Sequence, residues 1–159
     1  MLNVFRMFAK MSGQGLAVES DAAAPLEEIL RGGVRAKPDV SALASLDQNK
    51  LCVLIWHYHD DDVPGPEADV ELALNALPLA SGEAKLQHFR IDEDHSNAFA
   101  AWKRLGSPQQ PTPEQYTQLE KAGRLAALAG PETLRVEKGA AVVRFMLPRQ
   151  AVSLVALTW

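Results

Sequence analysis

Apolar and polar residues alternate along most of the chain after residue 50, a pattern typical of strands rather than helices. Residues 51–59 are rich in β-branched and aromatic side chains and are apolar on both faces at first, as an interior strand requires. Val70, Leu72 and Leu74 alternate with polar or small residues, which predicts a strand with one face in water. Further strands are predicted at 83–91, 133–137, 140–147 and 152–157, with a hairpin at Lys138-Gly139.

Helical spacing appears in two segments between these strands. Residues 96–105 place four apolar side chains on one side of a helix: Ala98, Phe99, Trp102 and Leu105. A second helix begins after Thr112, where Pro113 and Gln115 complete a capping box, and Gly123 suits its C-terminal end. Short strands that carry two helices between them predict a mainly β fold, an antiparallel β-sandwich with two inserted helices.

The first residues follow a different pattern. Residues 2–11 repeat apolar side chains at helical spacing, and Gly13 and Gly15 follow them; the apolar positions are Val4, Phe5, Phe8 and Met11. This helix has no N-cap signal, which indicates the end of a longer element. We therefore predict two parts, residues 1–12 as that end and residues 13–159 as the β-sandwich domain. A short strand at 16–18 and a short helix at 25–30 are also predicted.

Composition narrows the class of protein. The chain has 159 residues, 47% hydrophobic and 23% charged, which fits one soluble globular domain. Its net charge of −4, with both signs mixed along the chain, argues against nucleic-acid and anionic-membrane partners. Residues 51–56 form the longest apolar run, too short to cross a bilayer. The N-terminus lacks the layout of a secretory signal, so the expected location is cytoplasmic. Cys52 is the single cysteine and is expected to be a buried, inert thiol.

The stretch 57–62 is the most suggestive chemically. His57 and His59 point the same way on a strand, and a carboxylate from Asp60, Asp61 or Asp62 would add an oxygen ligand for a metal ion. The alternative is a polar strand end that meets solvent. Because no third ligand stands at a fixed spacing, we favour the polar strand end and predict neither a metal nor a cofactor.

Two further groups of residues have competing explanations. The acids of 92–96 suit helix capping better than acid/base catalysis, because nothing sets two carboxylates at a working separation. Six aromatic residues would suit a sugar-stacking platform, but strand and amphipathic-helix positions favour the core; they are Trp56, Tyr58, Phe89, Phe99, Trp102 and Trp159. No phosphate loop, nucleophile elbow or paired-cysteine motif is present. The residues alone therefore predict no catalytic side chains and leave substrate-binding residues unknown.

A longer set of motifs identifies a family. Residues 91–102, with Gly106-Ser-Pro108 and 111–116 after them, resemble glycoside hydrolase family 39, the β-xylosidases and their relatives. Residues 3–8, 56–62 and 147–154 agree with the same family. The resemblance runs the length of the chain and implies that the chain is the C-terminal portion of such an enzyme. That portion is a β-sandwich preceded by the last helix of a (β/α)₈ barrel, here residues 1–12.

The resemblance also implies an enzymatic activity and indicates which domain carries it. Such enzymes remove xylose from short xylo-oligosaccharides, in xylan degradation, with retention of configuration. Two barrel glutamates lie about 5–5.5 Å apart for this chemistry. The family's acid/base follows an asparagine directly, but Asn3, Asn49, Asn75 and Asn97 are followed by Val, Lys, Ala and Ala. We therefore expect the catalytic glutamates upstream of Met1, a chain that is inactive alone, and xylo-oligosaccharide binding only in the full enzyme.

Two other functions remain open at this stage. The chain would act as a free carbohydrate-binding module if coplanar aromatic rings were exposed on one face. It would act as a scaffold if it completed a separately encoded barrel. In either case the apolar face of the 2–11 helix and an open sheet edge predict self-association or binding to a barrel partner. Deleting residues 1–12 is expected to improve solubility.

Overall fold

The computed structural model describes residues 2–159, and within that range the chain forms four helices and eight strands. In chain order they are α1 (Leu2–Phe8), β1 (Gln14–Leu16), α2 (Leu26–Gly32), β2 (Asp39–Asp47), β3 (Lys50–Tyr58), β4 (Ala68–Leu74), β5 (Ser81–Ile91), α3 (Ala98–Arg104), α4 (Pro113–Ala122), β6 (Glu132–Glu137), β7 (Ala141–Leu147) and β8 (Val152–Thr158). None of the described helices is long and apolar enough to cross a membrane.

The strands form two antiparallel sheets, which confirms the predicted sandwich. The larger sheet has the order β1-β2-β3-β8-β5-β6, and β4 pairs with β7 in a two-stranded sheet. The core between the sheets is aliphatic and includes Leu51, Val53, Leu147, Val155 and Leu157. Because the second sheet has only two strands, it covers the middle of the larger sheet rather than its full width.

Strands β3 and β8 lie at the centre of the larger sheet and are buried on both faces. Alternate residues of β8 point away from the two-stranded sheet, where Leu154 and Ala156 join a second apolar cluster with Met7, Cys52 and Phe89. Helix α1 therefore covers the outer face of the larger sheet.

Burial raises the pKa of the Cys52 thiol, while the nearby charges of Lys50 and Lys10 act in the opposite direction. This agrees with the expected inert thiol.

Both inserted helices are present between β5 and β6. The Thr112 side chain accepts a hydrogen bond from the Gln115 N–H at 3.3 Å, and the Gln115 side chain accepts one from the Thr112 N–H at 2.9 Å. The predicted capping box is confirmed. The predicted apolar side of the first inserted helix is wrong at Phe99, which is 60% exposed, because α3 buries Ala100 instead.

Within the first 50 residues, the observed strands differ from the predicted ones in two ways. The strand expected at 16–18 lies at Gln14–Leu16 and pairs with residues 44–46. Strand β2 was not predicted, because its alanines and serines have little strand preference. It forms because nine of its residues pair with β3 across a tight turn at residues 48–49.

Candidate functional site

His57 lies in β3 and His59 just beyond its end, on the same face of the strand, as strand alternation predicts. Neither side chain is exposed to solvent. His57 is 3% exposed and His59 is 6% exposed. His57 Nδ1 lies 3.0 Å from the carbonyl oxygen of Leu147. The Asp61 N–H donates to His59 Nδ1 at 3.0 Å, so His59 Nε2 carries the proton and donates to the Arg35 carbonyl at 2.9 Å.

The predicted solvent-exposed strand end is therefore wrong for these two residues. Each imidazole bonds to backbone atoms of other segments and ties them to the end of β3. The Asp60 carboxylate also bonds to the backbone of another segment, since it accepts from the Val34 N–H at 3.1 Å. Within residues 2–159, no cluster of three or more His, Cys, Asp or Glu side chains is placed to hold a metal ion.

The acidic run after β5 closes a turn and does not cap a helix. Asp92 is buried, and its carboxylate accepts from the Asp94 N–H at 2.8 Å and the His95 N–H at 2.7 Å. The N-cap of α3 is Asn97, whose side chain accepts from the Ala100 N–H at 3.0 Å. The prediction that these acids cap the helix is wrong. Because Asp92 is occupied by the turn, its arrangement does not favour acid/base catalysis either.

A buried polar cluster continues from this turn into the sandwich. Ser153 is fully buried on β8, and its Oγ lies 2.9 Å from His88 Nε2 and 2.9 Å from Arg90 Nε, which donates to it. The Phe145 ring contacts both of these side chains, with its centre 4.6 Å from the His88 ring and 5.6 Å from the Arg90 guanidinium. Arg90 lies 3.9 Å from Asp92, which links the cluster to the turn.

This cluster was not predicted from the sequence, although a signal exists. His88 and Arg90 occupy the same face of β5 as the buried Ala84 and Leu86. Polar residues at inward positions of a strand must find partners, and Ser153 supplies one. Burial lowers the pKa of His88 to about 4, and the positive charge of Arg90 acts in the same direction. His88 is therefore neutral at neutral pH.

Helix α1 is fastened to the sandwich by its polar residues and by Met7. Asn3 is buried and donates to the carbonyl oxygens of Ser96 at 2.6 Å and Gly123 at 3.1 Å. Arg6 donates to the Gly123 carbonyl at 3.0 Å. Met7 is fully buried in the second apolar cluster. One side of the helix therefore belongs to the core of this chain.

The opposite side of α1 is apolar and exposed. Leu2 is 63% exposed, Phe5 64% and Phe8 44%. The predicted uncovered face is confirmed for Phe5 and Phe8, whereas Val4 is partly buried. It is wrong for Met11, which packs against the second apolar cluster. We call Leu2, Phe5 and Phe8 the α1 face.

The aromatic residues divide between the core and the surface. Phe89 is in the core, as expected, but Phe99 and Tyr58 are largely exposed, so the core assignment is wrong for these two. The Phe99 and Trp102 rings stack with their centres 5.7 Å apart and their planes 25° apart. Trp102 is held in place by its Nε1–H, which donates to the Pro108 carbonyl at 3.0 Å. Phe99 and Trp102 form an aromatic pair on the surface of α3.

Comparison with known proteins identifies the family. Residues 1–134 match the family model described as glycosyl hydrolases family 39. The chain belongs to glycosyl hydrolase family 39. No curated protein matches the chain significantly.

Solved structures of this family have the same fold. The chain aligns with the family 39 enzyme from Xanthomonas axonopodis pv. citri at 19% identity and a TM-score of 0.75, over 98% of this chain and 29% of that one. It aligns with a monomeric β-xylosidase from Caulobacter crescentus CB15 at 20% identity and a TM-score of 0.69, over 98% of this chain and 30% of that one. The chain thus spans less than a third of these enzymes, consistent with the C-terminal portion expected from the sequence.

The family motif at 91–102 has a structural role in this chain. It forms the end of β5, the Asp92 turn and most of α3. Ser96 accepts through its carbonyl from Asn3, and its Oγ accepts from the Ala126 N–H at 2.9 Å. The Asn97 side chain donates to the Asp92 carbonyl at 2.9 Å. In this family 39 domain the motif joins α1, α3 and the sandwich at one point.

The buried His88 predicts a specific loss of stability in acid. In the unfolded chain its pKa returns to 6.5, so unfolding takes up a proton below that pH, whereas the folded ring stays neutral until about pH 4. The free energy of unfolding therefore has its full value above pH 6.5 and decreases as the pH falls toward 4. A full shift would correspond to roughly 3 kcal/mol, and partial solvent contact reduces this to about 1–2 kcal/mol.

Urea unfolding between pH 7.5 and 4.5 measures this effect. Over this range we expect the free energy of unfolding to fall by about 1–2 kcal/mol more in the original protein than in His88→Gln, since glutamine does not titrate. Parallel pH curves for the original protein and His88→Gln would contradict the prediction.

Proposed function

We propose that this chain is the C-terminal β-sandwich of a retaining β-xylosidase, and that it docks onto a catalytic barrel through the α1 face. The observation that carries the proposal is the two-sided character of α1. Asn3 and Met7 fix one side to the sandwich, while Phe5 and Phe8 remain exposed on the other. An apolar surface held rigidly in this way is typical of an interface. In this proposal residues 1–12 belong to both parts, rather than to the barrel alone.

The surroundings of the α1 face describe the surface that would fit it. Where α1 meets the sandwich, Arg6, Lys10 and Arg124 line an open groove of about 480 Å³ together with Phe89 and Leu125. Lys10 Nζ lies 4.6 Å from the centre of the Phe89 ring. A complementary barrel surface would be apolar at its centre and acidic along the edge next to these cations.

The proposal assigns the hydrolytic chemistry to the barrel. A retaining glycosidase needs two carboxyl groups about 5–5.5 Å apart and open to the sugar. The buried carboxylates of this chain serve its fold: Asp39 accepts from Trp56 Nε1 at 2.6 Å and from the Ala24 N–H at 2.7 Å, and Asp92 closes its turn. The substrate we propose for the assembled enzyme is a short xylo-oligosaccharide, broken down in the cytoplasm as a step of xylan degradation.

A second candidate is a free carbohydrate-binding module, and the aromatic pair of α3 favours it. Sugar rings stack on exposed aromatic faces, and the Phe99 ring is 60% exposed and nearly parallel to that of Trp102. The two functions make different predictions. A docking domain needs the α1 face, whereas a binding module needs the aromatic pair.

The docking proposal predicts that the purified chain hydrolyses an aryl β-xyloside no faster than buffer, because neither carboxylate of the double displacement is supplied by residues 1–159. Release of the aryl group, followed by absorbance across repeated chromatographic steps, measures this. Turnover that stays with the chain and disappears on substitution of one of its own acids would overturn the proposal.

The docking proposal also predicts self-association of the isolated chain through the α1 face. Burying Phe5 and Phe8 is worth on the order of 1.5–3 kcal/mol each, so the double variant Phe5→Ser/Phe8→Ser should weaken a dimer by at least about 100-fold. Sedimentation over a concentration series measures the change. Measured at a concentration at which both proteins are monomeric, the melting temperature should stay the same, since both side chains are exposed.

Tyr116→Ser is the matched control for this surface, because Tyr116 is 67% exposed on α4. It should associate like the original chain. Deletion of residues 1–12 is a poor test, contrary to the expectation from the sequence, because it removes the buried Met7 and uncovers Phe89 and Leu154. A chain that is monomeric at high concentration with the α1 face intact would contradict docking through this face.

The carbohydrate-binding candidate predicts that xylohexaose binds at the aromatic pair. Phe99→Ala should then weaken binding at least about tenfold, because one stacking face is lost. Calorimetry or chemical-shift titration measures the affinity, and Tyr58→Ala serves as a control at an exposed aromatic residue on a different element. No binding by the original chain, or equal binding by Phe99→Ala, would exclude the pair as a sugar platform.

A further inference from the structure

We propose that Asn3 is a positioning residue, whose side-chain amide holds helices α3 and α4 in one fixed orientation relative to α1. These two helices, with residues 105–112 between them, are what we call the α3–α4 hairpin. For the assembled enzyme the inference rests on the proposed docking through the α1 face. Once that face contacts a barrel, the hairpin and its aromatic pair are also held at a fixed place beside the barrel.

The hairpin has little packing of its own to orient it. Of the residues of α3 only Ala100 is buried, and α4 buries none of its ten residues. The two helices pack against each other and approach closely at the base, where a Cβ on Gly123 would lie 3.3 Å from the Ala98 Cβ. A surface helix usually takes its orientation from an apolar stripe that packs on the core. Here the orientation is set at the base of the hairpin.

Asn3 bonds to both ends of this base at once. Its Nδ2 donates to the Ser96 carbonyl at 2.6 Å, two residues before α3, and to the Gly123 carbonyl at 3.1 Å, at the end of α4. Both N–H groups of the amide are thereby used. Its Oδ1 accepts from Arg6 Nη1 at 2.9 Å, which fixes the orientation of the amide. Because Asn3 is 5% exposed, water has little access to these bonds.

The Gly123 carbonyl is the part of the base that depends most on α1. It follows the last turn of α4, where helix carbonyls lack a partner within the helix and carry a partial negative charge. Asn3 and Arg6 both donate to it, the second at 3.0 Å. The chain is tied to β5 only three residues later, where the Ala126 carbonyl accepts from the Arg90 N–H at 3.4 Å. The end of α4 is therefore fixed by α1.

Distance measurements between two spin labels on the isolated chain test this positioning. One label is attached at Phe5→Cys on the exposed side of α1 and the other at Gln118→Cys on the exposed surface of α4, with unlabelled protein added to suppress distances between molecules. Cys52 is 1% exposed and stays unlabelled in the folded chain. We expect a narrow distance distribution when Asn3 is present. In Asn3→Asp the distribution should become at least about twice as wide, because both N–H donors are lost at nearly constant size.

A second pair of labels separates movement of the hairpin from movement of α1. Phe5→Cys is combined with Lys85→Cys, which is exposed on β5, the strand that α1 contacts. This distribution should stay narrow in Asn3→Asp, because the buried Met7 still holds α1 on the sheet. Broadening of both pairs would show that Asn3 fixes α1 rather than the hairpin, and would overturn the proposal.

Two further variants separate positioning from stability. Met7→Ala removes a fully buried side chain and no side-chain hydrogen bond, so it should lower the melting temperature and leave the 5–118 distribution narrow. Arg6→Met changes an exposed residue and should broaden the distribution by an intermediate amount, since Gly123 keeps its bond to Asn3. It decides the question if Asn3→Asp does not fold.

All of these measurements use the isolated chain, so failure of docking through the α1 face would leave their outcome unchanged. A 5–118 distribution that stays narrow in both Asn3→Asp and Arg6→Met would refute the role of Asn3. Equal broadening in Met7→Ala would trace the effect to lost stability and would refute it as well.

Discussion

Strand β8 must be covered on both faces, and much of the architecture follows from that requirement. Val155 and Leu157 point toward the two-stranded sheet, whereas Leu154 and Ala156 point the other way. A strand that is apolar on both faces is stable in water only when each face has its own cover. The first cover is β4 and β7, and part of the second is α1 through Met7. The N-terminal helix is therefore a component of the sandwich core as well as a surface.

The turn at 92–97 holds this second cover in place. It receives the Asn3 side chain on its backbone, binds residue 126 through Ser96 and starts α3 through Asn97. The buried polar residues of the segment that identifies the family therefore serve the fold of the domain. Asp92, Ser96 and Asn97 meet the hydrogen-bonding needs of a crowded junction. The role of these three residues is to hold the joined segments in position.

Local patterns were enough to predict part of this structure. The two-faced strands β3 and β8, the turn at Lys138-Gly139 and the capping box at Thr112 each depend on residues close in sequence. Strand β2 was missed because its alanines and serines carry little preference, and its pairing with β3 decides its conformation.

The parts of the site that the sequence did not predict depend on contacts between distant residues. The alternation of β3 placed His57 and His59 on one face correctly, but their burial depends on Leu147 and Arg35, 90 and 24 residues away. His88 and Ser153 are 65 residues apart and meet only through the register of β5 and β8. The exposure of Phe99 likewise depends on which side of α3 packs against the rest of the domain, and that side buries Ala100.

The position of β8 also has a consequence for how this domain is made. Of the described strands it comes last in sequence, yet it lies between β3 and β5 in the middle of the larger sheet. Until residues 152–158 have left the ribosome, the larger sheet exists at most as two separate pieces, β1-β2-β3 and β5-β6, each with an open apolar edge. Pairing of those edges with other chains is the hazard of this stage, and insertion of β8 removes it by joining the two pieces into one sheet.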